Sequence, residues 1–281
     1  MRKFIGALFL IRIHNCLLAG VAVWVGAHLC NNMFHNPSIY LSAIAIALIC
    51  GAGNAFNDYC DVEIDRINHP SRPLPTGLLP PYAAIVVSII LNFMAIILAA
   101  LSGIRILIPV VIYILALILY NLNLKKIVFC GNLLIAILGG GAFMIGGLAT
   151  CPDNLWTLPG PLVPAIFAFL FHLGREILKD IADYKGDRAL GYRILPEIMP
   201  PRWILSISTA IYAILVSLTI VSITAGWFHY QYAMIILFLV DLPLIVLFGY
   251  LWVSHSIGKY GLASRQLKYL MISGLLAFIL I

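Results

Sequence analysis

The chain has 281 residues, 63% of them hydrophobic and only 10% charged, with a mean hydropathy of +1.05 and a formal net charge of +6. Soluble domains carry about 25% charged residues and roughly half apolar ones, so a soluble fold is excluded. A nucleic-acid partner is not indicated either, because the basic residues fall between apolar runs and form no polar face, as membrane topology requires.

A hydrocarbon core about 30 Å thick takes roughly 20 apolar residues per helix. Nine such spans are expected in chain order: 4–29, 38–57, 82–102, 104–122, 130–150, 160–178, 203–225, 231–253 and 265–281. The first follows Met1-Arg2-Lys3, as a signal peptide would, but runs on to Leu29 without a small-residue cleavage site, so it is read as a span. The break between the third and fourth rests on Ser102, Gly103 and Arg105, and without it there would be eight spans.

Charge decides between the two counts. With the N-terminus inside, the inside connections hold Arg2, Lys3, Arg66, Arg72, Lys125, Lys126, Arg175, Lys179, Lys185, Arg188, Arg193, Arg202, Lys259, Arg265 and Lys268. These are all of the 17 basic residues except Arg12 and Arg105, and the outside connections at 31–37, 151–159 and 226–230 hold none. The positive-inside rule therefore selects nine spans, with the N-terminus and the inside connections cytoplasmic and the C-terminus outside. The expected fold class is an all-α polytopic membrane protein, with residues 1–281 as a single transmembrane domain.

Six scattered cysteines without C-x-x-C spacing imply neither a disulfide framework nor a zinc site. Gly139-Gly140-Gly141 and Gly146-Gly147 suit close helix packing in lipid.

Eight of the 11 acidic residues fall in two short stretches: Asp58, Asp61, Glu63 and Asp65 after the second span, and Glu176, Asp180, Asp183 and Asp187 at the end of the sixth. Carboxylates near a bilayer are costly and usually functional. On a helix Asn57, Asp61 and Asp65 share one face, and so do Glu176, Asp180, Asp183 and Asp187. Oxygen ligands on two opposed faces suit magnesium, which takes one or two carboxylates together with substrate phosphate oxygens. Arg66 and Arg72 lie beside the first cluster, Arg175, Lys179, Lys185 and Arg188 beside the second, and Lys125 with Lys126 between them, ready to neutralise phosphate.

Simple anchoring at the membrane interface is the preferred reading of Arg188, Arg193, Arg202, Lys259, Arg265 and Lys268. The seven histidines show no shared metal spacing, and Asp241 in the eighth span is left unassigned.

The run from Asn57 to Asp65, followed by Asn68 and Arg72-Pro73-Leu74-Pro75-Thr76-Gly77, resembles the first signature of the UbiA superfamily of intramembrane prenyltransferases. Asp183-Tyr184-Lys185-Gly186-Asp187 resembles the second. The resemblance implies nine helices around a central cavity that opens sideways to lipid, capped on the cytoplasmic side by the two motif-bearing loops. It implies that Asn57, Asp61, Asp65, Asp183 and Asp187 hold magnesium on a prenyl diphosphate, with Asp180 as an auxiliary. A family element of the form Tyr-x-x-x-Lys matches Tyr120 to Lys126 with Lys125 one place late, which leaves open whether Lys125 or Lys126 reaches the diphosphate and whether Tyr120 only anchors the helix.

Within that superfamily the first span's Ile11-Arg12-Ile13-His14-Asn15, the Arg175 to Asp180 run and the Tyr120 to Asn132 region are similar to the ether-lipid branch. That similarity implies a geranylgeranyl diphosphate donor and a geranylgeranylglyceryl phosphate acceptor. An arginine within a span is expensive, so Arg12 is expected to face the cavity and contact phosphate, supported by Asn15, with snorkelling to the interface as the alternative. Gly186 to Gly191 with Leu195-Pro196 is also close to chlorophyll and bacteriochlorophyll synthases, and an aromatic quinone precursor is a further alternative acceptor. A transporter or lipid-binding scaffold is the alternative of a different class.

Overall fold

The computed structural model describes residues 2–30, 36–189, 191, 194–254 and 257–280. Arg193 and most of the 31–37 connection lie outside the described residues. The first predicted span is two helices, α1 (Arg2–Ile11) and α2 (Ile13–His28), bent by 45°. The break is at Arg12, whose backbone is left-handed at φ 53°, ψ 60°, a conformation uncommon for a residue with a bulky side chain. The expected single helix over 4–29 is thus corrected.

In the second span, α3 (Pro37–Cys60) is opened by Asn36, whose side chain accepts the Ser38 amide at 2.9 Å. A short helix, α4 (Val62–Asn68), follows before α5 (Pro81–Ser102) and α6 (Ile104–Leu122). These two are parted by Gly103 alone, at φ +106°, a conformation open to glycine. The predicted turn at that position is present. Beyond it come α7 (Cys130–Thr150), α8 (Leu162–Ala189), the one-turn α9 (Leu195–Ile198) and α10 (Pro201–Thr224). The eighth span is α11 (Tyr230–Ile236), continued through a π-helical turn at Leu237–Asp241 into α12 (Leu242–Val253), and α13 (Ile257–Ile279) is the last.

Nine helical rods among the described residues thus match the nine predicted spans. Six are single runs long and apolar enough to cross a membrane, and the bent α1–α2 pair makes a seventh. The other two, α8 and α13, carry charged residues along their length, a composition explained by what they line. Ile89, Phe93 and Leu101 on α5 and Ile108, Ile112 and Leu115 on α6 are exposed, an apolar sheath suited to lipid.

Glycine brings α2, α7 and α8 into backbone contact. A Cβ at Gly146 would lie 1.8 Å from the Val23 carbonyl oxygen, and one at Gly26 would lie 1.9 Å from that of Phe143. Gly140 meets the Ala165 carbonyl oxygen in the same way, at 2.4 Å. These are the close contacts that small residues make possible between helices in lipid.

A second correction concerns the cysteines, because Cys30 and Cys151 form a disulfide with their Cα atoms 5.8 Å apart. They are 121 residues apart and follow the C-terminal ends of α2 and α7, which meet at the end of the bundle opposite the acidic motifs. Asn36 joins the same end by donating to the Ala149 carbonyl at 3.1 Å. Sequence spacing carries no trace of such a pair. Asp241 is buried within the bundle, where its carboxylate accepts from Thr219 Oγ1 at 2.8 Å.

Candidate active site

A cavity of about 890 Å³ occupies the middle of the bundle. Asn57, Asp61, Asp65, Asp180, Asp183 and Asp187 line it together, although the two groups stand more than 100 residues apart in the chain. Away from them the wall becomes apolar, with Phe143, Phe167, Leu215, Ile236 and Phe278.

The first acidic group does not share one continuous helix face. The α3 helix ends at Cys60, Asp61 sits in the break at φ −104°, ψ 14°, and α4 restarts at Val62. Glu63 lies outside the site and pairs with Arg66 at 2.7 Å in an exposed i,i+3 contact. Arg66 is thereby removed from the expected phosphate cluster. The α8 helix is unbroken, so Glu176, Asp180, Asp183 and Asp187 do share a face, and all four line the cavity. Lys185 lies on the opposite side of the same helix, exposed and away from the cavity, which corrects its expected role in phosphate binding.

Each carboxylate has a distinct setting. Asn57 donates one amide hydrogen to Asp61 Oδ2 at 2.8 Å and the other to Asn121 Oδ1 at 2.9 Å, which leaves its own carbonyl oxygen available as a ligand. Asp61 also pairs with Lys125, which is only 7% exposed. Asp65 is held by the Arg72 guanidinium at 2.5 Å; burial pushes its carboxyl above the usual range, against the opposing pull of Arg72. Asp183 has Lys179 at 3.5 Å and His69 at 3.6 Å, and Asp180 accepts from Asn132 at 3.0 Å. Asp187 lines the cavity without a hydrogen-bond or ion-pair partner among the described residues.

Among the described residues no three His, Cys, Asp or Glu side chains converge to hold a metal by themselves. The donor set nevertheless fits magnesium, which draws most of its ligands from water and substrate phosphate and needs only one or two carboxylates. Lys125, Arg72 and Lys179, which pair with these carboxylates, are of the side-chain types suited to phosphate.

Of the two candidate lysines, Lys125 lines the cavity and Lys126 does not. Tyr120 and Asn15 line it as well. Arg12 reaches in from the α1–α2 break, donating to Asn54 Oδ1 at 3.0 Å and to the buried Asp58 at 2.5 Å. It therefore does not snorkel. Arg175 bonds Glu176 at 2.5 Å and the Ser264 carbonyl at 3.2 Å. Arg265 and Lys268, read from sequence as interfacial anchors, also line the cavity, because α13 turns that face inward.

Sequence reasoning undervalued Asp58 and Asn68. Asp58 ties the first span to the first motif by pairing with both Arg12 and Arg72, the latter at 3.3 Å. Asn68 joins the two motifs, donating to the Asp183 carbonyl at 2.9 Å and accepting from the Gly186 amide at 3.1 Å. A Cβ on Gly186 would lie 2.4 Å from the Asn68 amide nitrogen, so a larger residue there would push the bridging side chain aside. The signal for Asn68 was its place inside the first motif.

Known proteins share the sequence pattern and the fold. The sequence profile of the UbiA prenyltransferase family matches residues 17–266. A digeranylgeranylglyceryl phosphate synthase of Methanosphaera stadtmanae is 39% identical over 189 residues, covering 67% of each chain. A solved structure from work on digeranylgeranylglyceryl phosphate synthase in membranes superposes with a TM-score of 0.74 at 32% identity, covering 100% of this chain and 98% of the other. A UbiA homologue from Archaeoglobus fulgidus, bound to GPP and Mg2+, shares the fold with a TM-score of 0.64 at 17% identity, covering 96% and 99% of the two chains.

Proposed function

The chain belongs to the UbiA prenyltransferase family, and on that footing we propose that it transfers a geranylgeranyl group from its diphosphate to the free hydroxyl of geranylgeranylglyceryl phosphate, a step in ether-lipid synthesis. The observation that carries this reading is the polarity of the cavity, with aspartates and phosphate-binding cations at one end and an apolar wall beyond. The glycerol acceptor rests on the similarity to the synthases named above. Residues 1–281 are read as one prenyltransferase domain around that cavity.

In this reading Asn57, Asp61, Asp65, Asp183 and Asp187 hold magnesium, and Asp180 assists. Magnesium, when bound, supplies positive charge to the diphosphate and so improves it as a leaving group. Lys125, Lys179 and Arg72 turn from their carboxylates toward phosphate oxygens and stabilise the charge that develops there. The donor C1–O bond breaks with its electron pair leaving on the diphosphate. The acceptor hydroxyl oxygen then bonds to C1 and its proton is released, giving an ether. Phe143, Phe167, Leu215 and Phe278 accommodate the isoprenoid chains and exclude the water that would otherwise capture C1.

The motif end is assigned to the cytoplasm. Basic residues collect there, and the Cys30–Cys151 disulfide stands at the opposite end, as expected for a pair kept in an oxidising compartment.

The test is a purified full-length protein in lipid nanodiscs, given geranylgeranyl diphosphate, magnesium and a panel of acceptors. Chelator-sensitive release of diphosphate with formation of the glycerol ether is expected. Turnover of a quinone precursor or a chlorophyllide, with none of the glycerol lipid, refutes the acceptor. Chelator-insensitive lipid transport without diphosphate release refutes the enzyme.

A further inference from the structure

The cavity holds a second group of cations, joined to the first motif through the Arg12–Asp58 pair. Arg12, Arg175, Arg265 and Lys268 reach it from α1–α2, α8 and α13, with Asn15 beside them. Two of the four are already paired, Arg12 with Asp58 and Arg175 with Glu176. Arg265 and Lys268 have no carboxylate partner among the described residues; Lys268 Nζ instead meets the ring nitrogen of His14. Arg175 Nε fastens α8 to the Ser264 carbonyl, next to Arg265. Arg265 is exposed and Lys268 half-buried, so the two form an accessible pair of like charges on one cavity wall, a setting that an anion would stabilise.

The location separates this group from the donor end. Arg175 precedes Asp183 by eight residues and Asp187 by twelve on the continuous α8 helix, so about 12 and 18 Å of helix divide the two regions. In depth the group lies between the aspartates and the apolar wall, where an acceptor must stand if its hydroxyl is to meet donor C1.

We propose that Arg265 and Lys268, with Arg175 and Asn15, bind the phosphate monoester of the acceptor and thereby select a phosphorylated glycerol lipid over a neutral one. A phosphate dianion matches the two unpaired charges, and arginine offers it a bidentate contact. Arg12, tied to Asn54 and Asp58, secures the wall behind it. His14 holds the Lys268 ammonium in place. The assignment rests on the glycerol-phosphate reading above and adds the residues that would enforce it.

The test compares wild type with Arg265→Gln and Lys268→Gln in nanodiscs, using geranylgeranylglyceryl phosphate and its dephosphorylated form. Each variant is expected to raise the KM for the phosphorylated acceptor tenfold or more, with the KM for the donor within twofold of wild type. Lys268→Arg should recover most of the loss, which a purely structural role would not predict. Equilibrium binding of both lipids without donor is measured in parallel, and preference for the phosphorylated one should be lost in the double variant. A rise in donor KM instead, or equal binding of the two lipids by wild type, overturns the assignment. Product formation is scored separately, so absence of any glycerol ether alongside intact phosphate-dependent binding refutes the reading of function and leaves the site standing.

Discussion

Replacing Asn68 by alanine tests whether the two motifs act as one site. The side chain makes two hydrogen bonds to α8, one to the Asp183 carbonyl and one from the Gly186 amide, and so holds α4 against the helix that carries Asp183 and Asp187. At about 1 kcal/mol net for each bond, the loss is about 2 kcal/mol. If that loss falls on positioning, it corresponds to a roughly 30-fold fall in kcat/KM at 1.36 kcal/mol per tenfold. The half-saturating magnesium concentration should rise with it, because the aspartates no longer face each other at the required separation. The assay is initial-rate diphosphate release across a magnesium titration, with thermal unfolding measured on the same preparation. Activity within twofold of wild type in a folded protein would refute the idea that this bridge sets the geometry of the site.

Asp61→Ala or Asp183→Ala should lower transfer by about 100-fold or more, as expected when a ligand of the metal that offsets the developing diphosphate charge is removed, while the protein still purifies as a folded membrane species. Gly146→Val should prevent stable insertion or sharply lower the unfolding temperature, because its Cβ would overlap the Val23 carbonyl; Gly249→Ala, with open space around it, should behave as wild type in the same thermal assay. After reduction, Cys30 and Cys151 should react with a membrane-impermeant maleimide added from outside the cell and not from the cytoplasmic side, and labelling of this pair from the cytoplasmic side would reverse the topology. Restoring the disulfide should raise the unfolding temperature, since it closes a long loop in the unfolded chain.

Much of the site is legible in the chain because its chemistry is dense. Aspartates at helical spacing in so apolar a protein have few reasons to exist, and the Asn57 to Asp65 and Asp183 to Asp187 motifs mark both halves. The break at Asp61 was not legible, because the i,i+4,i+8 spacing of Asn57, Asp61 and Asp65 fits an unbroken helix equally well. Lys125 and Lys126 were indistinguishable as neighbours, and only the turn that carries them aims Lys125 at Asp61. Arg265 and Lys268 look like interfacial anchors in a linear chain, since topology alone predicts basic residues at a span end.

Hydropathy and charge, being local and additive along the chain, determined the membrane class, the nine rods and the end of the bundle where the carboxylates gather. Tertiary structure decided what depends on rotation about a helix axis and on meetings between distant segments. The bend at Arg12, the pairing of Cys30 with Cys151, the Asn68 bridge and the inward turn of α13 are all of that kind. Each depends on where packing sets one rod against another, and close contacts such as Gly146 on Val23 leave that setting little freedom.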